Sequence, residues 1–315
     1  MPYKIISFFC IHNTISTLYL RSNTNMRRYL LYFLLFCNFI FFESCKKDKF
    51  KAPKASFLVV NNVTLKTITT GPNQGENSHK ITDMWYYVDG EFKGVFPIGS
   101  VMPIVSSGNA EITLFAGIKN NGISSTRLPY PVYVSKTYNL DIEAGKTYTL
   151  SPEFEYNSSA FFYYADGFNT ASGGGSYFTS SGNSNCVFSS DPTKAYGGYG
   201  GSIIMTMSDA LPTATLLQYN SYYLPDGGSV IYVELDFKCN QSFNIGVIGY
   251  STGGGSDKRN VLTINPSEEW NHIYVQLTKT VSTPPTYGAY RVFIEANKST
   301  TSPEIYIDNV KLIYL

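Results

Sequence analysis

Charge, cysteine and histidine are scarce in this chain, and each shortage excludes a class of protein. Charged residues make up 15% of the 315 positions and the formal net charge is +1, so the charge gives no support for nucleic-acid binding. Five cysteines exclude a dense disulfide framework, and their spacing from the three histidines fits no zinc site. Tyr, Phe and Gly are abundant instead, which is typical of a β-rich, ordered chain.

Catalytic motifs are missing as well. No fingerprint of a serine hydrolase, zinc protease, P-loop NTPase or dinucleotide-binding enzyme occurs. Glu234 and Asp236 share one face of a predicted strand, and we expect that face to be solvated. His272, also in a predicted strand, is interpreted as an ordinary strand residue rather than a base. The sequence therefore predicts no catalytic residue and no enzyme activity.

A run of 14 mostly apolar residues, Tyr29–Phe42, lies near the start of the chain. It is short for a membrane span, which needs about 20 residues. Arg27 and Arg28 precede it as the basic flank of a secretory signal. We therefore expect translation to start at Met26 and residues 1–44 to form a signal region. A true N-terminal anchor with a short span is the alternative.

The apolar run stops at Ser44-Cys45, which is followed by the charged stretch KKDK. This pattern resembles the signal of bacterial lipoproteins, particularly those of the Bacteroidetes group, in which the cysteine is lipidated and becomes the first residue. The resemblance implies a lipid anchor at Cys45, because two or more acyl chains hold a protein firmly to a membrane. It also implies a place at the outer membrane or cell surface, with residues 45–55 as lipidated cysteine and linker. An ordinary cysteine in a signal tail is the alternative.

From residue 56 onward, short alternating runs separated by turn residues predict β-strands, and no amphipathic stretch of helical length occurs. Asp89-Gly90 lies between two such runs and predicts a hairpin. The segment YVDGEFKGVFPIG, followed by SSGNAEITLFAGI, resembles the small Ig-like β-sandwich modules called PEGA domains. The resemblance implies a first β-sandwich domain over 56–157 that serves as a spacer or a binding platform.

The region 160–315 has a different order of strands. It opens near Asp166-Gly167-Phe168, continues through EEWNHIYVQL around Trp270, and closes with the strand IYIDNVKL. This order resembles the galactose-binding-like jelly rolls of the carbohydrate-binding-module type. The resemblance implies a second β-sandwich, a jelly roll, with Trp270 in its core. The whole chain is thus predicted to be all-β, with two β-sandwich domains after a lipoprotein signal peptide.

Two cysteines, Cys186 and Cys239, follow the predicted lipidation site. Cys239 shares one strand face with Leu235 and Phe237, which favours a buried free thiol. A Cys186–Cys239 disulfide is the alternative, since sequence alone does not define the geometry that a disulfide requires.

Exposed aromatic rings are the candidate binding residues. Such rings pack against the apolar side of a sugar ring, with amides and carboxylates nearby. The tyrosines in or near predicted loops are Tyr196, Tyr199, Tyr219, Tyr222, Tyr223 and Tyr250. The alternative is that these rings fill the edges of a sandwich with their hydroxyls in water.

One metal site follows from the jelly-roll resemblance. In related jelly rolls the aspartate of the closing strand often joins carboxylates of the opening segment around a structural calcium. The resemblance therefore implies Asp308 and Asp166 as ligands of a structural Ca²⁺, an ion that takes six to eight oxygens. The alternative is that Asp308 accepts hydrogen bonds from turn backbone. No other cofactor is expected.

These patterns together predict a lipid-anchored lipoprotein of the cell surface that binds a polysaccharide without catalysing a reaction. The alternative is a structural or assembly subunit of an envelope complex, which contacts other envelope proteins through sheet edges or tyrosine-rich loops. The expected partners are thus the membrane through the lipid anchor and either polysaccharide or protein.

Overall fold

The structure is a computed structural model that describes residues 28–29, 31–33, 54–68, 73–169, 176–180, 185–198 and 200–315. Lys54–Leu315 form one compact unit. Cys45, most of the predicted signal region and Tyr199 lie outside the described residues. Among the residues that are described, no helix is both long enough and apolar enough to cross a membrane.

Ten strands precede the predicted domain boundary near residue 157. They are β1 (Ser56–Val60), β2 (Thr64–Lys66), β3 (Asp83–Val88), β4 (Glu91–Pro97), β5 (Val101–Ile104), β6 (Gly108–Lys119), β7 (Arg127–Pro129), β8 (Lys136–Ile142), β9 (Thr147–Leu150) and β10 (Glu153–Glu155). The boundary itself stays a prediction.

Eleven strands follow. They are β11 (Phe161–Asp166), β12 (Phe178–Ser180), β13 (Cys186–Ser189), β14 (Ser202–Thr206), β15 (Thr213–Gln218), β16 (Ile231–Cys239), β17 (Phe243–Tyr250), β18 (Ser256–Ile264), β19 (Ser267–Gln276), β20 (Ala289–Asn297) and β21 (Glu304–Tyr314). The helical elements in this part are two 3₁₀ turns, Pro192–Lys194 and Tyr196–Gly198, and the short helix α1 (Thr278–Ser282). The all-β fold class is therefore confirmed.

The first part of the unit contains three sheets. One has the order β5-β1-β9, a second is the pair β10-β2, and the third has the order β4-β3-β6-β7 with β8 also paired to β6. Alternate residues such as Leu58 of β1, Tyr86 of β3 and Leu114 of β6 point into a shared core. The first part is a β-sandwich, as predicted.

The predicted hairpin at Asp89-Gly90 is confirmed. Strands β3 and β4 pair antiparallel, and Asp89 and Gly90 have φ of 50° and 77°. Two successive left-handed residues are what a tight two-residue hairpin turn requires, and glycine adopts that conformation without strain.

The second part is a sandwich of two antiparallel sheets. The β16 sheet has the order β13-β14-β21-β16-β19, with β11 also paired to β21, and the β17 sheet has the order β12-β15-β20-β17-β18. Leu235 and Phe237 of β16 face Val247 of β17 and Ile294 of β20 in the core between them. This core also holds Cys186 and Cys239, which are both free thiols, so the predicted buried thiol at Cys239 is confirmed and the disulfide alternative is not formed.

The outer face of the β16 sheet is largely covered by the first part of the chain. Tyr232, Tyr274 and Ile313 point out of the jelly-roll core and instead join the hydrophobic core of the first sandwich. Strand β16 is therefore buried on both faces over most of its length. The first sandwich leaves only part of the outer face of the β16 sheet exposed, and the candidate site lies on that part.

Candidate functional site

A cavity of about 350 Å³ opens on the part of the β16 sheet that the first sandwich leaves uncovered. Its floor comes from three adjacent strands, with Lys238 from β16, Trp270 from β19 and Tyr306 from β21. Lys238 and Tyr306 are direct cross-strand partners. Their chain neighbours Phe237 and Ile305 are buried in the jelly-roll core, so strand alternation turns Lys238 and Tyr306 outward.

Aromatic rings form part of the lining of this cavity. The ring centroid of Trp270 lies 6.4 Å from that of Tyr306 and 5.9 Å from that of Tyr196, with interplanar angles of 62° and 87°. All three side chains are only partly buried. Trp270 and Tyr306 thus offer apolar ring surface to anything that enters the cavity.

Charged and amide groups complete the lining, on the same sheet as the rings and on the 3₁₀ turn beside it. Lys194, Lys238 and Glu268 line the cavity, and none of their side chains makes a hydrogen bond or ion pair within the part of the chain that the structure describes. Both charge signs are present together. These side chains are therefore available as donors and acceptors for the hydroxyl groups of a ligand.

Tyr306 and Glu304 form a fixed polar contact at the rim. The Tyr306 hydroxyl donates to Glu304 Oε2 at 2.9 Å. Burial, together with this bond and the charge of Glu304, raises the pKa of Tyr306 to about 12, so the hydroxyl keeps its proton at neutral pH. The Asn240 amide donates to the Ser302 carbonyl at 2.7 Å and accepts from the Glu304 N–H at 2.9 Å, which ties the two rim segments together.

The 3₁₀ turns that carry Lys194 and Tyr196 are held in place by carboxylates. Asp191 accepts from the Thr193 N–H at 3.0 Å and caps the first turn. Asp308 Oδ2 accepts from the Tyr196 N–H at 2.9 Å, which positions Tyr196 against Trp270. This segment therefore forms a fixed lateral wall beside the sheet.

The outward row of residues continues beyond the cavity. Ile204 of β14 is the cross-strand partner of Tyr306, and Val187 of β13 is the partner of Ile204. Val187 is 54% exposed. The sheet thus presents a partly apolar strip that crosses its strands and ends in the cavity.

One predicted tyrosine lies at this cavity and four lie elsewhere. Tyr196 packs against Trp270, and Tyr199 lies outside the described residues. Tyr222 pairs with Tyr290 of β20. Tyr250, the last residue of β17, pairs with Ala289, which directly precedes Tyr290 in β20. These tyrosines therefore lie at the end of the β17 sheet where β17 finishes, whereas the cavity lies where β16 finishes and β17 begins.

Tyr219 and Tyr223 belong to the same distant end, in the loop after β15. They are 66% and 58% exposed. Tyr222 is partly buried, with its ring centroid 4.9 Å from that of Tyr163. The carbonyl of Tyr219 accepts a hydrogen bond from Arg291 at 2.6 Å, so this loop is held against β20.

The expectation that Trp270 lies in the core is wrong, because it lines the cavity and is only partly buried. Its strand neighbours show why. Ile273 and Val275 face the jelly-roll core, and alternation from them places His272 and Trp270 on the opposite face. The same alternation, counted from Ile305 and Ile307, places Tyr306 outward, so the sequence contained the signal for both rings.

The expectation that Glu234 and Asp236 lie on a solvated face is also wrong. Both are fully buried, because the first sandwich covers their part of the β16 sheet. Glu234 accepts from the hydroxyl of Tyr130 at 2.6 Å and from that of Tyr156 at 2.7 Å. Both donors come from the first sandwich, so Glu234 joins the two parts of the unit.

His272 lies between the two buried carboxylates. Its Nδ1 is 2.8 Å from Asp236 Oδ1 and its Nε2 is 3.7 Å from Glu234 Oε2. Burial lowers the pKa of His272, but the two carboxylates outweigh that effect and leave the pKa above its ordinary value. The Asn309 amide donates to the second oxygen of Asp236 at 2.8 Å.

Lys311 supplies a further buried positive charge. Its Nζ donates to the Glu76 carbonyl at 2.6 Å and to the Tyr156 hydroxyl at 3.0 Å. Burial lowers the pKa of Lys311, while Glu234 and Asp236 act in the opposite direction. The buried set of two carboxylates, one imidazole and one ammonium is thus close to neutral as a whole, which is what burial of charge requires.

The two predicted calcium ligands are engaged in hydrogen bonds. Asp166 accepts from the backbone N–H groups of Phe168 and Tyr177 at 3.0 and 2.8 Å. Asp308 accepts from backbone at Tyr196, which is the alternative considered for it. Among the described residues, no group of three or more His, Cys, Asp or Glu side chains could hold a metal ion. The calcium site stays a prediction.

Comparisons with known proteins give similarity only at the level of structure. No protein-family model matches the chain, and no curated protein matches it in sequence. Carbohydrate-binding modules are among the similar solved structures, and they align with about half of this chain.

The C-terminal family 22 carbohydrate-binding module of Clostridium thermocellum Xyn10B aligns with a TM-score of 0.35 and 17% identity, over 49% of this chain and 94% of that one. A family 29 module solved with mannohexaose aligns with a TM-score of 0.33 and 16% identity, over 49% and 92%. The enzymatically active domain of tailspike protein 4 from bacteriophage CBA120 aligns with a TM-score of 0.36 and 12% identity, over 47% and 20%. At scores this low, only the chain's own residues support a functional proposal.

Proposed function

We propose that the chain is a carbohydrate-binding protein of the cell surface, and that a saccharide binds in the cavity formed by Trp270, Tyr306 and Lys238. The observation that carries the proposal is the composition of this cavity. Aromatic rings and unpaired charged side chains of both signs line it together. A sugar has the matching chemistry, with apolar C–H faces and many hydroxyl groups.

The cavity supports binding rather than catalysis. Asp236 and His272, a carboxylate and an imidazole in direct contact, are buried under the first sandwich and do not line this cavity. A mixture of positive and negative groups in the cavity favours a largely neutral sugar, because neither sign of charge dominates.

A binding screen tests the proposal. The full-length chain, purified in a detergent without a sugar headgroup, is screened against immobilised polysaccharides. For the polysaccharide that binds, we expect Trp270→Ala to weaken binding by about tenfold or more, as loss of an aromatic anchor does. Tyr223→Ala is the matched control, because this exposed ring lies at the other end of the jelly roll.

The outcomes separate three cases. Loss of binding in Trp270→Ala with normal binding in Tyr223→Ala supports the cavity. Loss of binding in Tyr223→Ala with normal binding in Trp270→Ala would instead place the binding site in the loop after β15. Absence of binding by the folded wild-type chain to every polysaccharide in the panel would reject carbohydrate binding.

Attachment to the outer membrane or cell surface through a lipid on Cys45 is part of the same proposal. Its support is the Ser44-Cys45-KKDK pattern after the apolar run. A basic linker behind the lipid would keep the compact unit close to the membrane while leaving its cavity free to bind.

A second function, assembly with another envelope protein, is favoured by one feature. Phe161 and Tyr223 are each about half exposed or more, and both contact the ring cluster of Tyr163, Tyr222 and Tyr314. Exposed aromatic side chains that lie close together are typical of protein interfaces. Capture of one defined envelope protein by the wild type, lost in Tyr223→Ala, would support this function.

A further inference from the structure

A second, smaller cavity lies where the first sandwich meets the edge strand β19. Its volume is about 240 Å³, and its polar wall includes Lys80, Thr82, Lys119, Asn271 and His272. It is distinct from the Trp270 cavity, with which it shares no lining residue.

The walls of this cavity are held by backbone contacts. The N–H of Asn121, in the turn after β6, donates to the Tyr274 carbonyl at 2.9 Å. The Asn121 side chain in turn accepts from the Gln276 N–H at 2.8 Å. The segment that carries Lys119 is therefore fixed against the strand that carries His272, and the cavity is part of the folded unit.

The charge of the wall is of one sign. Lys80 and Lys119 both line the cavity, and no carboxylate does. Lys80 donates a hydrogen bond to the uncharged amide oxygen of Asn271. Lys119 has no hydrogen bond or ion pair from its ammonium group to any described residue.

Asp83, the chain neighbour of the lining residue Thr82, is already paired. Asp83 accepts from Arg127 at 2.7 Å and from the Thr82 hydroxyl at 2.8 Å. It is therefore engaged with Arg127 rather than with either lysine. Burial, followed by the charge of Lys119, lowers the pKa of Lys80, which shows that the two ammonium groups repel each other.

A buried polar atom at the same wall is also without a partner. His272 is 94% buried, and among the described residues its Nε2 has no hydrogen-bond partner. Glu234, at 3.7 Å from this atom, directs its own oxygens to Tyr130 and Tyr156 and does not line the cavity. The ammonium groups of Lys80 and Lys119, which no carboxylate of the described residues pairs, have donors left for an acceptor group in the cavity.

We propose that this cavity is an oxyanion site, in which a carboxylate, sulfate or phosphate group binds between Lys80 and Lys119. Such a group accepts several charge-assisted hydrogen bonds and removes the repulsion between the two lysines. The volume suits a single charged group better than a whole drug-sized ligand, for which cavities start at about 300 Å³. The anion has two plausible chemical sources, an acidic sugar and a free inorganic ion.

Titration of the full-length chain with sodium sulfate at constant ionic strength, with chloride as the balancing salt, tests this site by calorimetry. The wild type is expected to bind sulfate, and Lys119→Gln to bind it about tenfold more weakly or not at all. Lys66→Gln is the matched control, because Lys66 is an exposed lysine of β2 outside the cavity. Lys119→Arg keeps the charge and is expected to retain binding.

Parallel titrations with inorganic phosphate and with glucuronate identify the source. Tighter binding of glucuronate indicates the carboxylate of an acidic sugar, and tighter binding of phosphate or sulfate indicates a free ion. Equal sulfate affinity in the wild type and Lys119→Gln, or no binding of any of the three anions by the folded wild type, would overturn the proposal. Either result leaves saccharide binding at Trp270 untouched, because the two cavities share no residue.

Discussion

The Nδ1 atom of His272 lies 2.8 Å from a carboxylate oxygen of Asp236, and both side chains are enclosed between the two sandwiches. They belong to a set of charged side chains on the outer face of the β16 sheet that would be solvated in an isolated jelly roll. Here the first sandwich covers them and supplies the hydroxyls of Tyr130 and Tyr156 to Glu234. The interface between the two parts is therefore polar and specific in its pairing.

Glu234→Gln is expected to destabilise the compact unit by about 3 kcal/mol. The change removes one of the two buried carboxylates that offset the positive charges of His272 and Lys311, and it replaces one acceptor oxygen with an NH₂ group that cannot accept from a tyrosine. Urea unfolding of the purified chain measures the effect. Glu153→Gln, at an exposed position of β10, is the control and is expected to change stability by less than about 0.5 kcal/mol. Equal stabilities of the two variants would contradict the role assigned to Glu234.

The free energy of unfolding is expected to fall as pH rises from about 4, the ordinary pKa of an aspartate, to about 8 and above. Burial raises the pKa of Asp308 to about 8, and the pKa of His272 is also above its ordinary value. Both groups hold a proton more tightly when folded than when unfolded. Their contribution to the free energy of unfolding is therefore present at low pH. It is lost as pH rises through the folded pKa values, at up to about 1.4 kcal/mol per pH unit for each proton.

Unfolding experiments at a series of pH values measure how steeply the free energy of unfolding declines with pH. Asp308→Asn removes one of the two titrating groups, so its stability should decline less steeply than that of the wild type between pH 6 and 8. Its stability at low pH should be lower by about 1 kcal/mol, because one hydrogen bond from backbone is lost. An unchanged slope in Asp308→Asn would show that Asp308 does not titrate in this range.

Gly246→Ala is expected to destabilise the jelly roll by about 2 kcal/mol. A methyl group at this position in β17 would overlap the backbone oxygen of Arg259 and the ring of Phe293. Gly253→Ala is the matched control, since a methyl group there meets no neighbour. Thermal unfolding of both variants provides the comparison, and a Gly246→Ala protein as stable as Gly253→Ala would mean that β17 and β18 can separate without cost.

Cys45→Ser is expected to abolish membrane attachment of the mature protein. Without the thiol no acyl chain is added at position 45. Labelling cells with an alkyne fatty acid and fractionating their envelopes tests this expectation. Cys239→Ser is the control, because that cysteine is buried in the jelly-roll core and should not affect labelling. Equal labelling of wild type and Cys45→Ser would exclude lipidation at this cysteine.

Local patterns predicted the strands and many of their faces. The Asp89-Gly90 pair predicted a hairpin, because few residue pairs adopt two left-handed conformations in succession. The alternation of Leu235, Phe237 and Cys239 predicted one buried face of β16. Such signals are readable because side chains alternate strictly along a strand and turn conformations restrict residue type.

The candidate site was predicted only in part. Tyr196 lies at the Trp270 cavity, but the other described candidate tyrosines, Tyr219, Tyr222, Tyr223 and Tyr250, lie at the far end of the jelly roll. Loop composition indicates exposed rings without indicating which loops meet. Which loops share one end of a sandwich depends on the order of strands in two sheets.

The strand faces and turns thus follow from the sequence alone, since they depend on neighbours two to four residues away. The environment of Glu234, Asp236 and Trp270 depends on what packs against the sheet. Alternation places all three on the outer face of the β16 sheet, where the first sandwich buries the two carboxylates and leaves the indole beside an open cavity. Burial at such positions is set by contacts between residues more than 70 positions apart in the chain, such as those from Tyr130 and Tyr156 to Glu234.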